Sequence, residues 1–558
     1  MTAVQSNLSA PKYGYDFVVA VTQESINSNM KEYLHNLTEP EVIMCYIVDK
    51  NNTPQLIDYN ELVKQAKGSD PFSIPDGATG ENQDVQNLND VFFWYAFKAK
   101  LGIPPGYGPA AAGLKPLPDI VNLNDDVRSV GFTMMCSEFQ VVELNYTRRA
   151  TTYLNKTQPA GDAWLFKSKV DLSLADVKDN KQLPANIKKA IVNLGPNAFS
   201  IQQLFFDLDN AALESQPEIS GVAEGTPVST ALQTVFLGAY FGQMKKNGQP
   251  ILNYAVKHSK PTGATSSLTL TNLDMEVNPY LNGTQRIPNP TIEQTQAMTL
   301  CYLCATDHHT LPTPTEFGWN WLDTSELGNA DGVLAINRNT FRDYLQAQLM
   351  PFVSRYCFKP YVKVEKGLEV SYSYNLTAGW GTPTIQKMDK GDEVLVMNFE
   401  NTASDQAGYH GWEGSMTIRN AYNLQLHFNE DTIIIRQQMV VFVDVTDPFD
   451  TSGAVVDKTI VDTYTLSIDD EGKIATTRAT KTVDHSQKLD FYAISGLKDM
   501  GEDINRQAAN LANNYLESIP ISMIENFIFP GGSTFTYKDV KFSDNQDLIA
   551  HITYTQPS

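Results

Sequence analysis

Residues 361–491 hold a series of apolar and β-branched runs that leave this chain few ways to fold. "LEVSYSYNLTA", "DEVLVMNFEN", "DTIIIRQQMVVFVDVT" and "DTYTLSIDDEGKIATTRATK" are long for strands and rich in Val, Ile, Thr and aromatics, which suit a pleated, half-buried surface. Tyr464, Leu466 and Ile468 alternate up to Asp-Asp-Glu-Gly, and Ile474 resumes beyond it, which suggests a hairpin. Long, meandering antiparallel strands are therefore predicted here.

The other end of the chain opens on a different pattern. Tyr15, Phe17, Val19 and Val21 alternate with Asp16, Val18 and Ala20, which predicts a strand with one buried face. Thr22 is placed to cap a helix, in which Ile26, Met30, Tyr33, Leu34 and Leu37 form a single apolar stripe. Further helices are predicted over 185–194, 228–246 and 339–356; in the last, Phe341, Leu345, Leu349 and Phe352 form the stripe, and Pro351 is expected to kink or end it. A helix over about 500–516 carries Ile504, Ala508, Leu511 and Tyr515 on one side. Val42–Val48, 130–144 and 164–174 read as strands, and strands continue to Tyr554 after the turn at Pro530-Gly531-Gly532. The stretch 69–118 is so rich in Pro and Gly that it reads as a loop-rich surface insertion.

The fold class expected is α+β, with long helices packed against long, strongly twisted antiparallel sheets. Two parts are expected, 1–360 with the insertion and 361–558, packed into one elongated body. A sheet rolled around a helix encloses an elongated apolar interior, which holds either side chains or a lipid.

Composition narrows the function. A net charge of −22 opposes association with phosphate backbones, so nucleic acid is not an expected partner. No apolar run reaches membrane-spanning length and residues 1–11 lack a signal-peptide pattern, so the chain reads as soluble, either cytoplasmic or exported by a non-classical route. Five cysteines are few and odd in number, which fits a reducing compartment rather than a disulfide framework.

Motifs for catalysis are sparse. Cys301 and Cys304 with His308 and His309 suggest zinc, but the run around the cysteines reads as a strand, where residues three apart point to opposite faces. Buried strand cysteines followed by loop histidines are the expectation, with no metal and no cofactor. Asp444, Asp447 and Asp450, and Asp544, Asn545 and Asp547, depart from calcium-loop spacing and read as solvated turn residues. No phosphate-binding loop, dinucleotide fingerprint or nucleophile elbow is present, since "GWEGS" has Glu413 where the serine would stand. The tryptophans of "EFGWNWL" and "YHGWEG" read as packing residues, with contact to a membrane interface as the alternative.

Two stretches carry a resemblance. Tyr13-Gly14-Tyr15-Asp16 before the first strand, with Asn27 early in the helix, resembles the opening of the P-47 family, best known from clostridial gene clusters beside botulinum neurotoxins. Phe529-Pro530-Gly531-Gly532, Phe542-Ser543-Asp544 and Asp547-Leu548 resemble the family's closing segment, so that roughly the first 40 and last 60 residues carry the likeness. The resemblance implies a tubular lipid-binding (TULIP) superfamily fold, in which a long antiparallel sheet wraps a long helix. It also implies a non-enzymatic protein that binds a lipid or another apolar molecule, with partners in a toxin or secreted complex. It supplies no catalytic residue. Ile26, Met30 and Leu34 from the first helix, and Ile504, Ala508 and Leu511 from the last, are then expected to line the tube. The alternatives are an accessory protein whose interior its own side chains fill, and an enzyme acting on a hydrophobic substrate.

Overall fold

The first strand, Phe17–Thr22, is central rather than peripheral: it pairs antiparallel with Thr299–Thr306 on one side and Gly332–Ile336 on the other. The computed structural model describes residues 2–35, 41–108, 112–123, 128–146, 150–176, 198–215, 219, 222, 225–232, 251–258, 268–367, 370–376, 381–409, 412–447, 449–489, 499, 502–507, 527–528 and 534–555. The seven-stranded sheet continues outward through Leu270–Asn278 at one edge, and through Leu548–Thr555 to Thr534–Tyr537 at the other. Start, middle and end of the chain therefore meet in one sheet.

Both faces of Phe17–Thr22 are buried, where alternation predicted one. Phe17, Val19 and Val21 face the main apolar cluster, which extends over all four large sheets. Val18 and Ala20 face a second cluster built from Tyr13, Tyr15, Phe317, Trp319 and Trp321. Small apolar residues at the outward positions were compatible with either outcome, and the aromatic cover decided it.

The predicted meander is present as a six-stranded antiparallel sheet in sequence order: Thr384–Lys387, Glu393–Tyr409, Trp412–Asn429, Thr432–Asp447, Phe449–Ile468 and Ile474–Asp484. Its register puts Met416, Ile418, Tyr422, Leu424, Leu426 and Phe428 on the buried face, each side chain worth about 1.5–3 kcal/mol on removal from water. The hairpin at residues 469–473 stands where the sequence placed it.

Against this sheet lies the helix Arg338–Tyr356, where Phe341 packs at 5.3 Å from Phe428 and Tyr356 stacks at 5.1 Å on Tyr422. Pro351 does not end it. A proline in a helix interior costs about 3 kcal/mol; the buried Val353 and Tyr356 beyond it supply compensating packing. The stripe consequently continues through Val353 rather than Phe352, which is half-buried beneath Arg355. Asn420 inside the sheet donates to the carbonyls of Tyr356 and Phe358, satisfying acceptors at the helix end.

Beside two two-stranded ladders, Leu281–Asn282 with Gln285–Arg286 and Tyr361–Lys366 with Val370–Asn375, two further large sheets, of five and six strands, stand among the described residues. One has the order Pro54–Ile57, Val42–Val48, Phe93–Leu101, Cys136–Tyr146, Thr151–Thr157; the other, Phe527–Ile528, Ile251–His258, Ala198–Ser215, Phe166–Asp176, Ser129–Met134, Val121–Asn122. The 69–118 stretch is thus more than a surface excursion. It contributes the helix Gln83–Asp90 and the strand Phe93–Leu101, which is the middle strand of its sheet. Apolar residues Phe93, Tyr95, Phe97 and Ala99 explain this, because the prolines and glycines flank the strand and leave its interior free. Of the other predicted helices, 185–194 lies outside the described residues. Pro227–Ala231 is helical, and so is 502–507, while 233–246 and 508–516 lie outside them.

Candidate functional site

The first helix, Gln23–His35, follows its strand with no linker, and Thr22 Oγ1 accepts from the Ser25 amide at 3.2 Å as the sequence led us to expect. One side of the helix carries Ile26, Met30 and Leu34, all buried in the main apolar cluster. The adjacent side carries Gln23, Asn27 and Lys31, spaced four residues apart. Asn27 donates to the Val121 carbonyl at 2.8 Å and accepts from the Ile120 and Val121 amides at 2.7 and 2.9 Å, while Gln23 accepts from the Leu123 amide at 2.8 Å. Lys31 pairs with Asp119 at 2.9 Å, to which Gln296 also donates at 2.6 Å. A polar stripe therefore grips residues 119–123 while the apolar stripe enters the interior. The apolar stripe was legible, but the amide pair at i and i+4 beside it was the signal left unused.

Ile504 joins the same cluster as Ile26, Met30 and Leu34, so four of the six expected lining residues share one apolar body. Ala508 and Leu511 lie outside the described residues. The helical segment 502–507 is tied to the strand Val370–Asn375 by the Tyr374 hydroxyl, which donates to Asp503 at 2.6 Å. That bond is the main reason the Asp503 carboxyl is held below its ordinary range.

Of the residues that carry the terminal resemblance, Phe529-Pro530-Gly531-Gly532 lie outside the described residues, while Asp16, Ser543 and Asp547 take part in one hydrogen-bonded region with the start of the long helix. Asp547, expected as a solvated turn residue, is fully buried. It accepts from Ser6 Oγ at 2.6 Å, the Leu8 amide at 2.7 Å and the Arg338 amide at 3.0 Å. Burial pushes its carboxyl up to about 6, against the pull of those donors and of the Arg338 guanidinium. Ser543 Oγ donates to the Ser6 carbonyl at 2.9 Å. Asp16 accepts from Thr306, from Thr340 Oγ1 at 2.7 Å, and contacts His309 Nδ1 at 2.8 Å. Asn337 donates to the Tyr15 carbonyl at 2.9 Å. Here these side chains clasp the two chain ends to the start of the long helix.

Cys301 and Cys304 sit on the fully buried strand Thr299–Thr306 and face different clusters, so their sulfurs point apart as strand geometry requires. All five cysteines are buried free thiols, and burial raises those of Cys45, Cys136 and Cys357 to about 12. Among the described residues, no group of three or more His, Cys, Asp or Glu is arranged to hold a metal ion. Trp319 and Trp321 are buried packing residues. No described helix is long and apolar enough to cross a membrane.

No family model and no curated protein matches the chain. Among solved structures, the crystal structure of P47 of Clostridium botulinum E1 is similar at 11% identity and a TM-score of 0.44, over 97% of this chain and 100% of that one. The crystal structure of lipopolysaccharide binding protein is similar at 9% identity and a TM-score of 0.28, over 98% of this chain and 99% of that one.

Proposed function

We propose that this protein is a non-enzymatic binding protein of the TULIP type, whose apolar interior takes a lipid or another apolar small molecule. The observation that carries this reading is the continuity of the main apolar cluster, which runs from Ile26, Met30 and Leu34 through the long meander to Ile504 and the closing strands. Such an interior recognises a ligand by excluding water from it, at roughly 25 cal/mol per Å² of apolar surface. The resemblance at the chain ends supports the same class and supplies no catalytic residue. Partnership in a toxin or secreted complex, and peripheral contact with a membrane, belong to this reading.

One observation favours the alternative of an accessory protein with a filled interior. Ile26, Met30, Leu34 and Ile504 are 6%, 4%, 7% and 0% exposed, so protein atoms already cover them. Native mass spectrometry of freshly purified protein, followed by organic extraction, separates the two. A stoichiometric apolar passenger is expected for the binding protein. A protein that is empty and takes up no phosphatidylcholine or fatty acid overturns that reading in favour of the filled interior.

A further inference from the structure

Glu276 is the most anomalous buried group in the described structure: it is 0% exposed and neither carboxyl oxygen has a hydrogen-bond partner. It lies on the edge strand Leu270–Asn278 opposite Cys301, which pairs in turn with Ala20, so it belongs to the second face of the central sheet. Over that face runs an irregular strap, residues 311–322, carrying Phe317, Trp319 and Trp321. Phe317 stacks on Tyr13 at 5.0 Å and meets Trp321 edge-on at 4.9 Å.

Side chains hold the strap down. Tyr13 Oη accepts from the Gly318 amide and Tyr15 Oη from the Thr315 amide, both at 3.1 Å. Asn278 accepts from the Phe317 amide at 3.0 Å and donates to the Trp319 carbonyl at 3.1 Å, and Asn320 grips both backbone groups of Leu281. The buried indole nitrogen of Trp319 makes no hydrogen bond. The strap is therefore a separable cover pinned at a few polar points above an apolar face and an unpartnered acid.

We propose that this strap is an acid-tightened cover, docked while Glu276 carries its proton and loosened as the carboxyl ionises, uncovering an aromatic and aliphatic face. An unpaired carboxylate in an apolar site costs several kcal/mol, and opening the strap lets water solvate it. The charged groups around Glu276 do not relieve this cost. Asp274 on its own strand and Glu316 on the strap are negative, and the cations beside them are committed to them, Arg128 to Asp274 at 2.5 Å and Arg286 Nε to Glu316 at 3.2 Å. Cys301, opposite it on the paired strand, and Tyr15, just before the first strand, are both pushed up and stay neutral. Burial, then Glu316 and Asp274, raise the Glu276 carboxyl to about 8, while the Arg128 charge opposes the shift; the Thr315 amide nearby is given to Tyr15 Oη at 3.1 Å and leaves the carboxyl unpartnered.

The sign follows from linkage. The docked state holds a proton that the open state releases near 4.5, so docking is complete below about 4.5, weakens as pH rises, and levels off above about 8. Hydrogen-exchange protection factors for residues 313–319, measured at pH 5, 6, 7 and 8 and corrected for intrinsic exchange, test this. We expect the wild type to lose about tenfold in protection per pH unit, and Glu276→Gln, which stays neutral, to keep a flat profile. Wild-type protection constant within about twofold, or a parallel fall in Glu276→Gln, overturns the proposal. Should the Gln variant fail to fold, Glu316→Gln decides: it removes a charge that raises the docked carboxyl, so a fall that levels off at lower pH with a smaller total loss supports the cover, and an unmoved profile or one that levels off at higher pH overturns it.

Discussion

Asp547 and His551, four residues apart near the C-terminus, show how one fold sets two titratable groups to different tasks. Asp547 is buried with its donors and sits high for a carboxyl, at about 6. Its folded value exceeds its ordinary 3.8, so its favourable contribution is complete below 3.8 and is lost as pH rises through about 6. His551 lies between Asp539 at 2.8 Å and Glu326 at 3.3 Å, and its hydrogen bonds to Asp539 and then Glu326 raise it to about 9. Its stabilisation is complete below 6.5 and disappears between 6.5 and about 9. At 1.36 kcal/mol per pH unit this loss is capped at about 3 kcal/mol, and the half-exposed Asp539 reduces it. Denaturant unfolding of the wild type is therefore expected to weaken from pH 6.5 to 9, and His551→Gln to show less of that slope. Equal slopes would mean that the imidazole is not held charged. The sequence placed Asp547 in a turn but gave no sign of its burial, because Ser6 and Leu8, which enclose it, come from the opposite end of the chain.

At the scale of elements, the first helix works through two stripes rather than one. Asn27 supplies hydrogen bonds to three backbone groups of residues 120–121, in a place where no water reaches. Truncation strands those groups, so Asn27→Ala is expected to cost about 3 kcal/mol in denaturant unfolding. Asn29→Ala, at a half-buried position bonded only locally to the Ser25 carbonyl, is expected to change it by less than about 1 kcal/mol. Equal losses would contradict the gripping role. The apolar stripe was legible because 3.6-residue periodicity is a local property. The polar grip was not, because Val121 lies 94 residues away and has no sequence signature as a partner. At Pro351 the helix does not end, although proline removes an amide there, because Val353 and Tyr356 beyond it pack into the core and Tyr356 stacks on Tyr422 of the sheet beneath.

For the whole molecule, the closing strand Leu548–Thr555 completes the sheet whose middle is the opening strand. Truncation after residue 533 removes it, strips Gly332–Ile336 of one neighbour and deletes Asp547 from the terminal clasp. A chain cut there is expected to be recovered mainly as aggregate, because an unpaired apolar strand edge templates association. Soluble, monomeric recovery by size-exclusion chromatography would show that the opening strands fold without the end.

Sequence by itself determined the elements whose reasons are local. The long meander, the strand-to-helix hand-over at Thr22, the stripe of Ile26, Met30 and Leu34, and the opposed sulfurs of Cys301 and Cys304 all follow from periodicity and capping. Tertiary structure decided which faces were covered and which polar groups were enclosed: both sides of Phe17–Thr22, the strand Phe93–Leu101 at the centre of its sheet, Asp547 within the clasp, and Glu276 beneath its aromatic strap. Period-two alternation tells which residues share a face, but burial depends on what packs there, and those partners lie from tens to hundreds of residues away.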